Sequence, residues 1–369
     1  MSAPELVVNA RNLTGPHTGI EIYMQHLIRA LAATGELGIT ALTWAPIGLD
    51  IPGVREVISA RRPELDAGSL RALAWKLWFD HAGCLKGLPS DKRILYHGMD
   101  GFLPFTLSRR VRCVLTVHDL GWQAHPELYA TRLRLMYGVF VPWAIRRADR
   151  LIAVSRYTAD DLMRRAHVPA AKIDVVYHGV DPAFTPLARP GSSEPPYLLA
   201  VGGVSPRKNA RRLIEAFVRW RGRGGRGQAY RLLITGNSLD PEFSHQGNAP
   251  EGVSLLGYVD QAELRRLYAG AAAFVYPAIY EGFGLPIVEA MACGAPVVTS
   301  RTGSAPEIAA DAAVIVDPFD PASIEAGIER ATQPEEGERL RALGFERARA
   351  FRWDQAAQAT LDAYRRAEI

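Results

Sequence analysis

The chain has 369 residues, of which 48% are hydrophobic and 22% are charged. This balance is typical of a soluble globular protein and excludes an intrinsically disordered chain. The length favours two domains of ordinary size, with one unusually large domain as the alternative. The cysteines at 84, 113 and 293 form no CxxC pair. A reducing compartment is therefore expected, and a disulfide framework or zinc ribbon is not.

Positive charge is concentrated in the first half of the chain. Residues 1–186 contain 22 Lys and Arg against 17 Asp and Glu, whereas residues 187–369 contain 21 against 22. The N-terminus runs directly into an apolar segment, so no signal peptide is predicted. The sequence contains no stretch of 18 apolar residues, which predicts that no helix spans a membrane. We expect a cytoplasmic protein, with a peripheral position on the inner face of the plasma membrane as the alternative.

Short β-branched segments alternate with amphipathic helical segments along the first half. Strands are predicted at Glu5–Ala10, Ile39–Trp44, Val54–Ile58, Arg93–His97, Val111–Val117, Arg150–Val154 and Ile173–Val176. Helices are predicted between several of them, at Gly19–Ala33 and Leu128–Arg147. Apolar strands separated by helices are typical of a parallel, doubly wound sheet.

The second half repeats this alternation. Its strands are predicted at Tyr197–Val201, Tyr230–Thr235, Val253–Leu256, Ala272–Tyr276, Ala295–Thr299 and Ala313–Val316. The proline-rich segment Thr185–Pro196 cannot continue a helix or a central strand, so it is the predicted linker. We expect an α/β protein with two Rossmann-like domains, residues 1–186 and 187–350, that face each other across a cleft. A C-terminal helix, residues 351–369, is expected to pack back on the first domain.

The segment YPAIYEGFGLPIVEAMACG at 276–294 combines a strand end, a glycine-rich loop and a helix start. Gly282 and Gly284 allow close approach of the backbone to a ligand, and the free amides of the helix start can bind an anion. Glu281 and Glu289 are acceptors suited to the paired hydroxyls of a hexose or a ribose. The combination predicts a nucleotide-sugar site. For Glu289 alone, a structural role at the helix dipole is the alternative.

A second phosphate-binding candidate is VGGVSPRKN at 201–209. Gly202 and Gly203 follow a strand, and Arg207 and Lys208 open the next helix. An arginine fork and a lysine charge are suited to a pyrophosphate. The chain has no Asp-x-Asp pair, which favours charge neutralisation without a metal ion. A solvated first helical turn is the alternative.

The segments GGVSPRKNARRLIEAF and EGFGLPIVEAMACGAPVVTS resemble the two signature blocks of glycosyltransferase family 4, the retaining GT-B enzymes. Glu281 and Glu289 match the Glu-x7-Glu motif of that family. Further matches are TGIEIYMQHLIRAL, TVHDL, ADRLIAVSRYTADDL, VVYHGVDPAF and SAPEIAADAAVIVDPFD, in the order of the family and over nearly the full length. The subgroup most resembled comprises bacterial mannosyl- and rhamnosyltransferases of surface polysaccharide assembly, including O-antigen and exopolysaccharide.

This resemblance implies roles for individual residues. Catalytic roles fall on His118, Arg207, Lys208 and Glu281. Donor binding falls on Gly19, Gly202, Gly203, Arg207, Lys208, Glu281, Gly282, Phe283, Gly284, Leu285 and Glu289. The two cations would clamp the donor diphosphate, Glu281 would contact the sugar and Glu289 the ribose. His118 and Gly19 would approach the donor from the first domain.

Two positions depart from the family pattern. Gly203 stands where many members have an arginine, and Ala278 stands where a serine is common. His118 also has a structural alternative, because His97 and His178 occupy similar positions and can be simple hydrogen-bonded histidines. No histidine forms a zinc-like spacing with a cysteine.

The implied activity is transfer of a hexose from a nucleoside diphosphate sugar, with GDP-mannose first, to a glycan or lipid-linked acceptor. No cofactor, resident metal or nucleic-acid partner is expected. A nucleotide-sugar epimerase, a glycoside phosphorylase and a non-catalytic sugar-nucleotide binder remain alternatives. A dehydrogenase is disfavoured, because no GxGxxG follows the first strand.

Two basic segments with aromatic residues at helical spacing are candidates for contact with an anionic membrane. The first contains Trp75, Trp78 and Phe79 with Arg71 and Lys76, and the second spans Arg132–Arg150 with Phe140 and Trp143. Core-facing aromatics with solvated cations are the alternative for both.

Overall fold

The computed structural model describes residues 5–14, 19–63, 70–88, 93–187, 195–237, 240, 243 and 249–367. The chain folds as two compact units. The first comprises Met1–Gly179 together with Trp353–Ile369, and the second comprises Val180–Arg352. Each is an α/β domain built on a parallel sheet, as predicted from the alternation of strands and helices.

The first unit contains a seven-stranded parallel sheet in the order β3-β2-β1-β4-β5-β6-β7. Its strands are β1 (Glu5–Asn9), β2 (Gly38–Thr43), β3 (Val54–Ile58), β4 (Ile94–Gly98), β5 (Arg112–Val117), β6 (Arg150–Ala153) and β7 (Ile173–Val175). Its first helices are α1 (Gly19–Ala33), α2 (Leu70–His81), α3 (Gly121–Ala124), α4 (Thr131–Arg147) and α5 (Arg156–Ala166). The central strands are buried on both faces, which explains their continuous apolar sequences.

The second unit contains a six-stranded parallel sheet in the order β10-β9-β8-β11-β12-β13. Its strands are β8 (Tyr197–Val201), β9 (Arg231–Thr235), β10 (Val253–Gly257), β11 (Ala273–Tyr276), β12 (Val297–Ser300) and β13 (Ala313–Val316). Its helices are α6 (Ala210–Gly222), α7 (Gln261–Gly270), α8 (Leu285–Cys293), α9 (Ala305–Ala309), α10 (Pro321–Ala331) and α11 (Pro334–Ala348).

The strand order reverses at the same place in both sheets. In the first unit the reversal lies between β1 and β4, and in the second it lies between β8 and β11. Open α/β sheets bind ligands beyond the carboxyl ends of the strands at such a reversal. In the second unit, both sequence-predicted phosphate loops start there.

The last helix, α12 (Trp353–Arg366), belongs to the first unit. Trp353, Ala357, Leu361 and Tyr364 recur at helical spacing and are buried in one core with residues of α1 and β1. The Tyr364 hydroxyl also forms a 2.7 Å hydrogen bond with Nδ1 of His97 on β4.

The division between the units after Gly179 precedes the predicted linker. Residues just before that linker pack on α7, because Nε of Arg265 donates to the Thr185 carbonyl at 3.2 Å and Phe184 contacts the ring of Tyr268. Most of the predicted linker, residues 188–194, lies outside the described residues.

Candidate active site

The candidate site lies at the strand reversal of the second unit, where two loops meet. One loop joins β8 to α6 and carries Arg207 and Lys208; the other joins β11 to α8 and carries Glu281. The two loops are connected through the backbone, since the amide of Ile279 donates to the carbonyl of Arg207 at 3.0 Å. Residues more than 70 positions apart in the sequence are thereby brought into hydrogen-bond contact.

The β8–α6 loop requires its two glycines. Gly202 and Gly203 both have positive φ, of 106° and 68°. A Cβ at Gly203 would lie 1.9 Å from the carbonyl oxygen of Asn237, so a side chain at this position would force the loop to move. This contact gives a physical reason for glycine where many family members have an arginine.

Arg207 and Lys208 converge on a single carboxylate oxygen. Nη1 of Arg207 lies 3.0 Å and Nζ of Lys208 lies 2.6 Å from Oε1 of Glu281. Burial alone would raise the pKa of the Glu281 carboxyl, but the two adjacent cations hold it below its ordinary value. The group is therefore ionised at neutral pH. Two cations on one carboxylate leave an excess of positive charge.

Tyr276, the last residue of β11, completes this charge cluster. The ammonium of Lys208 donates to the Tyr276 hydroxyl and lies 4.8 Å from the centre of its ring. The side chain of Arg207 is 33% exposed, compared with 16% for Lys208 and 11% for Glu281. Lys208 is thus held in place from several sides, whereas Arg207 is the most accessible of the three charged groups.

The β11–α8 loop is fixed by the segment that follows β12. The Ser304 hydroxyl lies 2.8 Å from the carbonyl oxygen of Phe283, and the Ser304 amide donates to the carbonyl of Glu281 at 3.1 Å. Gly303 has a φ of 65°, and a Cβ there would lie 2.9 Å from the amide nitrogen of Glu281. The backbone that carries Glu281 is therefore packed tightly against its neighbour.

Four predicted donor-binding residues form the start of α8. Gly282 and Phe283 precede the helix, Gly284 caps it with a φ of 94°, and Leu285 is its first residue. Pro286 occupies the first turn, where its missing amide proton costs no hydrogen bond. The positive end of α8 therefore adjoins the loop that carries Glu281, a suitable place for an anion.

Glu289 lies in α8 in a very different environment from Glu281. It is buried, and its Oε2 accepts a 3.1 Å hydrogen bond from the hydroxyl of Tyr268. Burial raises the pKa of the Glu289 carboxyl to about 7. Near neutral pH it therefore exists in both protonation states, while Glu281 is fully ionised.

Asn209 is a site residue that sequence analysis missed. It has a left-handed backbone with a φ of 62°, and its amide Nδ2 donates to the carbonyls of Pro277 at 3.1 Å and Pro318 at 2.6 Å. Asparagine tolerates this conformation better than most residues, which is a weak sequence signal. Tyr268, Tyr276 and Ser304 were also missed, because only the fold brings them beside the motif residues.

His118 and Gly19 lie in the first unit. His118 follows β5, and its Nε2 lies 2.8 Å from the carbonyl oxygen of Met99. Because a carbonyl can only accept, Nε2 carries the proton and Nδ1 is the acceptor atom of the neutral ring. Burial lowers the pKa of His118, which favours the neutral form. Gly19 is the first residue of α1, and a Cβ there would meet no other described residue within 4 Å.

His97 has the structural role that was the alternative for histidines at strand ends. It is fully buried and hydrogen-bonds the Tyr364 hydroxyl through Nδ1 and the Thr116 hydroxyl through Nε2, at 2.7 and 2.8 Å. Burial lowers its pKa to about 3, so His97 is neutral at physiological pH. The hydroxyl of Tyr23 joins the same network at Thr116, and the Tyr23 ring packs edge-on against His118.

Within the described ranges, no three His, Cys, Asp or Glu side chains are arranged to hold a metal ion. Among the same residues, no helix has the length and apolar character needed to cross a bilayer.

Two α/β domains built on parallel sheets, with a candidate anion site at the strand reversal of the second, are the architecture of the GT-B fold of glycosyltransferases. The family model described as Glycosyltransferase Family 4 matches residues 17–184, and that described as Glycosyl transferases group 1 matches residues 188–345. A curated relative is also 32% identical over 95% of this chain. The chain therefore belongs to this family of glycosyltransferases.

That relative is O-antigen chain mannosyltransferase B of Escherichia coli, of which the match covers 96%. Glycogen synthase of Mycobacterium tuberculosis is 28% identical, over 94% of this chain and 90% of the relative. The names of these two relatives indicate different polysaccharides, an O-antigen chain and glycogen.

Solved structures share the fold at low sequence identity. Sucrose-phosphate synthase of Thermosynechococcus elongatus aligns with a TM-score of 0.72 and 22% identity, covering 99% of this chain and 98% of that one. HepE of Anabaena, solved in complex with UDP-glucose, aligns with a TM-score of 0.68 and 17% identity, covering 99% and 100%.

Proposed function

We propose that this glycosyltransferase is a retaining enzyme that moves mannose from GDP-mannose to a hydroxyl of a glycan or lipid-linked oligosaccharide in bacterial surface polysaccharide assembly. The observation that carries the proposal is the pair Arg207–Lys208, which shares Glu281 beside the start of α8. The preference for mannose rests on the Escherichia coli relative. The enzyme would act in the cytoplasm, at the inner face of the plasma membrane.

The donor diphosphate would bind to Arg207, Lys208 and the amides at the start of α8. As the bond from the sugar C1 to the phosphate oxygen breaks, negative charge develops on the diphosphate, and the two cations stabilise it without a metal ion. In the structure, the Glu281 carboxylate forms ion pairs with both cations. An incoming diphosphate would take over part of their charge, and the Glu281 oxygens could then accept hydrogen bonds from the sugar hydroxyls.

Glu289 would hold the ribose hydroxyls in its ionised form. His118 would contribute Nδ1, its acceptor atom, to a hydroxyl of the donor sugar, and Gly19 would leave space for the diphosphate. None of these residues would act as a covalent nucleophile. The acceptor oxygen attacks C1 on the face that the diphosphate leaves, and the acceptor proton passes to the departing phosphate oxygen.

Thermal-shift measurements with GDP, UDP, ADP and their sugars test the donor. We expect the largest stabilisation from GDP and GDP-mannose; a clear preference for UDP-glucose would overturn the choice of donor. NMR of the product anomer tests retention, and transfer in the presence of EDTA tests metal independence. Conversion of the donor sugar without any acceptor would indicate an epimerase instead.

A further inference from the structure

Helix α4 in the first unit exposes an apolar stripe. Leu135 and Val139 are 69% and 62% exposed, although both are large aliphatic residues in the middle of a helix. Trp143 continues the row at the same four-residue spacing, and Arg132 and Arg146 lie three residues beyond its two ends. Helices that lie in a membrane interface combine an apolar face containing Trp, Phe or Leu with arginines and lysines on the polar face.

A pocket of about 490 Å³ adjoins this stripe. It is lined by Phe105, Leu107, Arg109, Trp143, Arg146 and Arg147. Phe105 is 40% exposed, packs edge-on against Trp143 with ring centres 4.3 Å apart, and stacks on Phe140 at 5.1 Å. The pocket therefore combines an aromatic wall with guanidinium groups.

Positive charge predominates around the stripe, although Glu127 lies close enough to Arg134 to interact with it. Residues 101–112 and α4 together contain seven arginines and no Asp or Glu. Two of them serve the fold, since Arg112 pairs with Asp149 at 3.0 Å and Arg147 donates to backbone carbonyls. Arg109, Arg110, Arg132 and Arg146 are exposed and have no ion pair within the part of the chain that the structure describes.

Helix α2, the other basic segment with aromatic residues, shows no such surface. Trp75 and Phe79 pack against Trp44, with ring centres 5.4 and 5.3 Å apart. Trp78 is 40% exposed, and the ammonium of Lys86 lies 5.1 Å from its ring centre. The aromatic residues of α2 therefore serve mainly the packing of the first unit, and α4 is the better candidate for contact with a partner.

We propose that the α4 surface, formed by Arg132, Leu135, Val139, Trp143, Arg146 and the adjoining pocket, docks on a bilayer that contains anionic phospholipids. The apolar stripe would enter the interface, and Arg109 and Arg146 would bind lipid phosphates, one headgroup entering the pocket. Charge complementarity selects this occupant, because phosphates are available at high density on such a bilayer and can be bound by several arginines at once. The proposal rests on the proposed function only for its purpose, which is access to a lipid-linked acceptor.

Vesicle sedimentation with the full chain tests this surface. Vesicles of phosphatidylglycerol and phosphatidylethanolamine are compared with neutral vesicles of phosphatidylcholine. The variants are Arg109→Glu/Arg146→Glu and Leu135→Ser/Val139→Ser. The charge-matched control is Arg29→Glu/Arg71→Glu, which changes exposed arginines of α1 and α2, and the apolar control is Val218→Ser/Ile315→Ser in the second unit.

We expect selective binding of the wild type to the anionic vesicles. Binding should fall about tenfold or more in the Arg109→Glu/Arg146→Glu variant and severalfold in the Leu135→Ser/Val139→Ser variant, with little change in either control. Equal binding to both vesicle types, or an equal loss in the charge-matched control, would overturn the proposal. Stabilisation by the nucleotide is measured on the same samples, so that failure of the membrane proposal is distinguished from failure of the donor proposal.

Discussion

The two units share one strand order but use the strand reversal for different purposes. In the first unit, Arg11 follows β1, has a side chain only 5% exposed, and pairs with Asp80 and Asp100. In the second unit, Arg207 and Lys208 share a single carboxylate and remain more accessible. A cation that pairs with two carboxylates has no excess positive charge to offer a ligand. Two cations that share one carboxylate have such an excess.

In both units, the sheet determines only where a charged cluster can form. Loops after equivalent strands build a buried ion cluster in one unit and a candidate anion site in the other. Function is determined by the ratio of charges and by their exposure, not by the topology. Four substitutions test this difference, in order of decreasing expected effect.

Replacement of Lys208 by alanine should have the largest effect. Loss of this cation removes charge stabilisation of the leaving diphosphate, so turnover should fall by about a hundredfold or more. The control is Arg211→Ala, three residues further along the chain in the first turn of α6, where the side chain forms an ion pair with Asp240. Transfer assays with the preferred donor that give near-normal rates for Lys208→Ala would contradict the assignment.

Glu281→Gln separates binding from turnover. The carboxylate now competes for Arg207 and Lys208, so its neutralisation should leave the affinity for a nucleoside diphosphate equal or higher. Turnover should still fall by about a hundredfold, because an amide is a weaker acceptor for the sugar hydroxyls. Calorimetric titration with the diphosphate and steady-state kinetics check the two parts; weaker diphosphate binding with unchanged turnover is the opposite of what we expect.

Glu289→Gln should change how stability depends on pH. The pKa of Glu289 is about 7 in the folded protein, compared with an ordinary value of 4.5 in the unfolded chain. The contribution of this carboxyl to stability is therefore greatest below pH 4.5 and is lost as pH rises towards 7. Urea unfolding should show Glu289→Gln gaining up to about 3 kcal/mol relative to wild type between pH 5 and pH 8. A pH-independent difference would mean that Glu289 ionises normally.

Tyr364→Phe should affect only the first unit. It removes the hydrogen bond to buried His97 and should lower the free energy of unfolding by about 1–2 kcal/mol. Stabilisation by a nucleoside diphosphate should be unchanged, because Tyr364 belongs to the first unit and Arg207 and Lys208 belong to the second. Thermal unfolding with and without the diphosphate measures the loss of stability and the stabilisation by the ligand. A smaller increase in Tm with the diphosphate would show that the two units are coupled.

Strands and motif loops could be predicted from the sequence, because apolar runs and glycine positions are local signals. All thirteen predicted strands form close to their predicted positions, and the ends move by only a few residues, as at β12 (Val297–Ser300). The meeting of Arg207 with Glu281 could be expected only from the resemblance, because 74 positions separate them.

The different protonation of the two glutamates could not be predicted. It depends on burial and on neighbours such as Tyr268, and neither can be read from a spacing of eight residues. The obstruction at Gly203 was equally hidden, because the nearby carbonyl belongs to Asn237 on a different loop. Sequence patterns thus indicate which residues participate, while the fold determines their charge and freedom.

The return of α12 to the first unit has a consequence for how the protein is made. The first unit consists of the residues up to Gly179 and of the last helix, Trp353–Arg366, which completes its core. On the ribosome, the whole second unit is synthesised in between and can fold first, although it comes later in the chain. The order of folding is therefore expected to be the reverse of the order of synthesis. The first unit needs its last helix to close over Tyr23 and Leu27.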